Sequence, residues 1–151
     1  MERIVFFDFE IDNKGKILDI GAIRYDGAKL HKSPVPEFIK LIKNCDFLCG
    51  HNIVEHDYKY LRPLIQRDFK LIDTLYLSPL LFPRKPYHRL LKDDKLLSDE
   101  PNNPLNDALK ARSLYEDEVD KFNGLSKEAK SIYYELTKED QHFRRGGHFV
   151  G

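Results

Sequence analysis

The stretch Arg3–Ile11, RIVFFDFEI, most constrains what this chain can become. Its β-branched and aromatic residues predict a buried strand, yet it carries two acids, Asp8 and Glu10. Side chains alternate along a strand, so Phe6, Asp8 and Glu10 share one face while Phe7 and Phe9 enter the core on the other. Neighbouring carboxylates repel each other, and burying them uncompensated is expensive. Two arrangements relieve that cost. Either this is an edge strand whose acids are solvated or paired with Arg or Lys, or a hard divalent cation lies between them.

The surrounding pattern is that of an α/β domain. DNKGK (12–16) supplies turn residues, and ILDIGAIRYDG (17–27) returns as a second strand with Ile17, Ile20 and Ile23 apolar. A third strand is expected in AKLHKSPV (28–35), completing an antiparallel meander. PEFIKLIKN (36–44) reads as an amphipathic helix with Pro in its first turn. CDFLCGHN (45–52) reads as a buried strand, and IVEHDYKYLRPLI (53–65) as a helix with Val54, Tyr58, Leu61 and Ile65 on one stripe. FKLIDTLYLSPLLF (69–82) begins as a strand and passes into loop or helix. A short helix is expected in HRLLKDDKLL (88–97) and a loop in SDEPNN (98–103). A long helix follows over 104–122, with Asn103 as N-cap and Pro104 at its first position. A last helix covers 126–138. The order predicts a mixed sheet, antiparallel over its first three strands and parallel in the remainder, with helices on both faces.

Length and composition bound the rest. The 151 residues suit one domain, since a chain this long buries about 68–70% of its unfolded surface. The domain is expected over 1–140, with 141–151 as a tail. Lys and Arg total 25, as do Asp and Glu, which excludes a strongly basic coat but not a local patch for nucleic acid. No run approaches the ~18 apolar residues of a membrane span, and no export signal opens the chain. The expectation is therefore a cytoplasmic protein without a membrane partner. Cys45 and Cys49, the only two cysteines, read as reduced structural residues.

Two further acids stand in suggestive places. Asp57, in GHNIVEHDYKYL (50–61), falls in the first turn or two of a helix leaving a buried strand. Asp107, in NNPLNDALKA (102–111), falls in the first turn of another. Each alone is also what the dipole of a helix N-terminus favours. Taken in order, FDFE, GHNIVEHDYKYL, IDTLYLS and NPLNDALKA resemble the successive motifs of the DEDD (DnaQ-like) superfamily of 3′–5′ exonucleases, the proofreading and ribonuclease T type. The resemblance spans about 4–114 and includes ILDIGAI as the second strand and Asp73-Thr74 after the last one.

The resemblance implies a ribonuclease H-like fold and metal-dependent 3′–5′ hydrolysis of single-stranded DNA or RNA, DNA favoured. It implies two Mg²⁺ or Mn²⁺ ions, a set of hard cations that carboxylate oxygens suit. Asp8 would bridge both ions, Glu10 and Asp107 would hold the ion on the nucleophile's side, and Asp57 would assist the second. Ile11 and Asn52 match positions near the terminal nucleotides.

One position departs from the family. Its larger branch carries a histidine five residues before the last Asp, as general base, where this chain has Asn102. The other branch has a tyrosine four before, where this chain has Asn103. Neither amide takes a proton. His88 is the best substitute on sequence grounds and a candidate, with Ile11 and Asn52, for contact with the substrate, although a surface or capping role weighs ahead of it. His56 is another, but it occupies a position that is aromatic in the family and reads as a packing residue. Arg84, Lys85, Arg89, Lys92 and Lys95 form the one local excess of positive charge, interleaved with Asp93 and Asp94. It reads equally as a phosphate-binding face or a solvated one. The departure at Asn102 leaves a second hypothesis, a weak or inactive nucleic-acid-binding module of the same fold. LYLSPLLFPRKPYHRLLKDDKL (75–96) also resembles the exonuclease-type domain found ahead of RecQ-like helicases in some bacteria. That implies a fused helicase partner in a longer chain.

Overall fold

A computed structural model describes residues 2–81 and 103–137 of the chain. The expected helix over 88–97, the residues His88 and Asn102, the basic cluster of 84–95 and the tail lie outside the described residues.

Five strands form one mixed sheet in the order β3-β2-β1-β4-β5. β1 (Ile4–Ile11) pairs antiparallel with β2 (Ile17–Arg24), and β2 pairs likewise with β3 (Lys29–His31). β4 (Phe47–Gly50) lies parallel to β1, and β5 (Lys70–Asp73) parallel to β4. The predicted split into an antiparallel front and a parallel remainder is therefore present. β1 is central rather than an edge, so the edge-strand arrangement does not account for its acids; Asp8 and Glu10 are both partly buried.

The turn between β1 and β2 explains why the hairpin closes where it does. Oδ1 of Asp12 accepts from the backbone N–H of Lys14 and Lys16, and Gly15 takes φ +83°, a conformation most side chains disfavour. A bulge between Glu10 and Ile11 ends the regular ladder at the same place.

Helices cover both faces of the sheet. On the face of Val5, Phe7 and Phe9, α1 (Val35–Ile42) buries Phe38, Leu41 and Ile42. Phe38 lies within ring-contact range of Phe7 and Phe9, with centroids 5.3 and 5.2 Å apart. The same core takes Ile53, Leu61 and Ile65 from the segment after β4. On the other face, Ile4, Phe6, Ile23, Cys49 and Ile72 pack with Leu77 of α3 (Thr74–Leu81) and with Leu109 and Tyr115 of α4 (Pro104–Asn123). α5 (Lys127–Thr137) follows. Cys45 and Cys49 are free and buried, as read. Among the described residues no helix is long and apolar enough to cross a membrane.

Two expectations need correction. The third strand is only Lys29–His31 and β4 only Phe47–Gly50, shorter than the runs of 28–35 and 45–52. The segment 53–65 is not one regular helix. It passes from a π turn (Ile53–Asp57) through one α turn, α2 (Tyr58–Leu61), to a 3₁₀ turn (Arg62–Leu64). The wide first turn changes which side chains point inward. Ile53 and Asp57 take the fully buried places, while Val54 and Tyr58 are only partly buried against the core. Leu61 and Ile65 are buried as expected.

Candidate functional site

Three of the four acids singled out in the sequence meet on one side of β1. Asp8 projects from the face opposite Phe7 and Phe9, as strand alternation requires, and it comes within hydrogen-bonding range of both Asp57 and Asp107. The three residues arrive from segments far apart in sequence, and each is delivered by a distinct local feature.

Asp107 reaches Asp8 because of a glycine. Asp8 stands directly opposite Gly21 in the β1–β2 ladder. A Cβ at Gly21 would lie 1.9 Å from the backbone nitrogen of Leu105 and 2.0 Å from the carbonyl carbon of Pro104. The first turn of α4 therefore rests on bare strand backbone, and no other residue permits that approach. Asn103 fixes where the helix starts: its side-chain oxygen accepts from Leu105 N at 2.9 Å and Asn106 N at 3.3 Å. This is the N-cap expected from the sequence, with Pro104 next.

Asp57 is delivered by the abrupt end of β4. That strand pairs with β1 only over Ile4–Phe6, so beyond Phe6 the neighbouring flank of β1 has no ladder partner from it. The chain turns away at Gly50, where a Cβ would lie 2.7 Å from Phe7 O and 2.4 Å from Ile53 Cγ2. Asn52 takes a left-handed conformation with φ +62°. The π turn then brings Asp57 back against β1, where its Oδ2 accepts from Phe9 N at 3.1 Å. A side chain thus takes the place of the missing strand.

Asp73 holds this turn in shape. It is fully buried at the end of β5 and accepts from Asn52 N (2.8 Å), Val54 N (2.9 Å) and Leu75 N (3.0 Å). Burial still raises its pKa, against the lowering effect of those three donors. The sequence reading noted Asp73 only as part of a motif. The signal for its role was an acid ending an apolar strand, where only backbone donors can satisfy it.

His56 also differs from its reading as a packing residue. Its Nδ1 lies 2.5 Å from Asp57 Oδ1, and that hydrogen bond raises its pKa. Its ring also meets Tyr60 edge-on, with centroids 5.8 Å apart.

The electrostatics of the site follow from crowding. Burial first, then the Asp57 and Asp107 carboxylates, hold Asp8 well above the ordinary carboxylate range. Hydrogen bonds between carboxyl groups need a shared proton, and a divalent cation is the usual alternative.

Glu10 lies two residues further along the same strand face. It is half-buried and opens onto a shallow depression of about 540 Å³ lined by Leu18, Asp19, Lys32, Ser33 and Pro34. Ile11 is half-buried beside the bulge, and Asn52 carries its backbone N–H to Asp73. Among the described residues, no group of three or more His, Cys, Asp or Glu stands ready arranged to hold a metal ion. The donor set nevertheless suits one. Asp8, Asp57 and Asp107 offer only oxygens, whereas the two thiols lie buried in the cores. Comparison with known proteins finds no matching family model, curated protein or solved structure.

Proposed function

We propose that this chain is a metal-dependent 3′–5′ exonuclease of the DEDD type with a ribonuclease H-like fold, acting on single-stranded nucleic acid, DNA favoured. The observation that carries the reading is the convergence of Asp8, Asp57 and Asp107. Sheet order and strand directions support it too, since they place the first acid on the central strand.

In this reading Asp8 is the central carboxylate, flanked by Asp57 and Asp107, with Glu10 on the same strand face at the edge of the open depression. Mg²⁺ or Mn²⁺, when bound, supplies Lewis-acid activation of water and stabilisation of the leaving 3′ oxygen. The chain's own residues set the geometry. Gly21 and the Asn103 cap hold Asp107, the Phe9 N–H and the Asp73-braced turn hold Asp57, and Phe7 and Phe9 anchor the strand that carries Asp8. The depression beside Glu10 is open to solvent, and of the four acids only Glu10 lines it. Attachment to a helicase would supply the single strands on which such an enzyme acts.

The test is degradation of 3′- and 5′-labelled single strands of DNA and RNA with Mg²⁺, Mn²⁺ or EDTA, with Asp8→Ala as control. The expected result is loss of the 3′ label first, dependence on the metal, and no activity in Asp8→Ala. A wild type as inert as Asp8→Ala under every metal would falsify the enzyme reading, and Mn²⁺ stabilisation of that inert protein would mark a binding module instead.

A further inference from the structure

Asp57 is engaged at both oxygens. Oδ2 accepts from the Phe9 N–H at 3.1 Å, and Oδ1 lies 2.5 Å from His56 Nδ1. A carboxylate oxygen accepts and an imidazole N–H donates, so the tautomer or charge state with hydrogen on His56 Nδ1 makes this contact a hydrogen bond to Oδ1. The imidazole is itself held in place, edge-on to Tyr60 at an interplanar angle of 72°. Asp57 is 2% exposed while the His56 side chain is about half exposed, so the ring forms the outer wall over a buried acid.

We infer that His56 is a positioning residue: its Nδ1–H fixes the Asp57 carboxylate, leaving one lone pair on each oxygen for a divalent cation. This rests on the metal-dependent reading above. The role needs no change of charge on the ring, since neutral imidazole with hydrogen on Nδ1 makes the same bond. A packing ring at this position would fill the wall but leave Oδ1 free to turn. Groups that orient a metal's ligands in this way typically change metal affinity by about 10–100-fold when removed.

Two variants separate the donor from the ring. H56F keeps an aromatic edge against Tyr60 and loses the donor, whereas H56N gives up the ring and offers an amide N–H near the position of Nδ1. Mn²⁺ affinity is measured by isothermal titration on the full chain, with strand hydrolysis followed in parallel. The expected result is Mn²⁺ binding about 10–100-fold weaker in H56F, with most of it restored in H56N. The reverse order, with H56F like wild type and H56N impaired, would show a space-filling ring and overturn the assignment. Unchanged affinity in both variants would overturn it as well. If wild type binds Mn²⁺ and H56F binds it weakly, but neither cleaves strands, the positioning role stands and the exonuclease reading falls. If wild type does not bind Mn²⁺, both fall.

Discussion

Asp8 and Gly21 face each other across β1 and β2, and the backbone of Pro104 and Leu105 fills the space where Gly21 would carry a Cβ. One missing side chain thereby sets how close the first turn of α4, and with it Asp107, comes to the central acid. The site is a consequence of backbone packing before it is a cluster of charges.

Gly21→Ala tests this with opposing expectations. Chain entropy alone makes alanine better than glycine inside a strand by roughly 0.5–1 kcal/mol. The new Cβ, however, meets backbone atoms at 1.9 and 2.0 Å, and these cannot swing aside as a side-chain tip would. Overpacking wins, and a loss of about 3 kcal/mol is expected in urea unfolding. Mn²⁺ stabilisation should shrink along with it, because Asp107 moves with the helix. A stabilised Gly21→Ala would mean that α4 does not rest on the strand as described.

Asp73→Asn probes the turn that presents Asp57. The carboxylate accepts three backbone N–H groups over its two oxygens. An amide has one oxygen, so at least one donor meets an NH₂ and is left unpaired. The expected cost is about 1–3 kcal/mol, with weakened Mn²⁺ binding although Asp73 itself is not among the converging acids. Unfolding and titration of the same preparation would check both. Stability lost without any change in Mn²⁺ affinity would separate the brace from the site.

Much of this was legible in the sequence, and the failures have physical causes. The alternation in RIVFFDFEI correctly set Asp8 against Phe7 and Phe9, because a strand has a period of two and no freedom to drift. The Asn103 cap was equally readable, since capping chemistry is local. The first half of the stripe in 53–65 was not, because the π turn puts Ile53 and Asp57 in the buried places expected of Val54 and Tyr58, whereas Leu61 and Ile65 are buried as expected. The roles of Gly21 and Asp73 depend on what lies across the sheet, which no local window contains. A glycine within an apolar strand pattern was the available hint of close backbone approach. His56 reads as packing because its position is aromatic in the family that the motifs resemble, and the hydrogen bond to Asp57 that corrects this exists only once the π turn places the two side chains together.

Stability against pH should run opposite to that of most proteins over part of the range. Asp8 and Asp73 are raised above the ordinary value of 3.8, and His56 above 6.5. For an acid raised in the folded state, the folded protein holds more protons between the unfolded and folded pKa values, so stability falls as pH rises through that window. The stability that His56 contributes is fully present below 6.5 and is lost as pH climbs through its raised folded value. These three groups therefore act in the same direction. Exposed Asp26, lowered to about 2 by the Arg24 guanidinium, acts the other way, and only as pH drops below its ordinary value. In EDTA the thermal midpoint should peak on the acid side of neutrality. Saturating Mn²⁺ should abolish the decline toward higher pH, because cation binding needs the ionised carboxylates. A metal-free midpoint that rises steadily from pH 5 to 8 would contradict the crowding at Asp8.

Asp8→Asn should split stability from metal response. In the metal-free protein Asp8 sits beside Asp57 and Asp107 in a buried place, and its ionised form is disfavoured there. Asparagine is nearly the same shape, carries no charge and can donate to a neighbouring carboxylate. In EDTA near neutral pH, Asp8→Asn should therefore be more stable than wild type. With Mn²⁺ at ~100 times its Kd, wild type gains about 2.7 kcal/mol from binding, and Asp8→Asn should gain little or nothing. The ranking of the two proteins then inverts between EDTA and Mn²⁺. Urea denaturation in both buffers reads this directly, and parallel curves in the two conditions would show that Asp8 is a structural acid rather than the centre of a cation site.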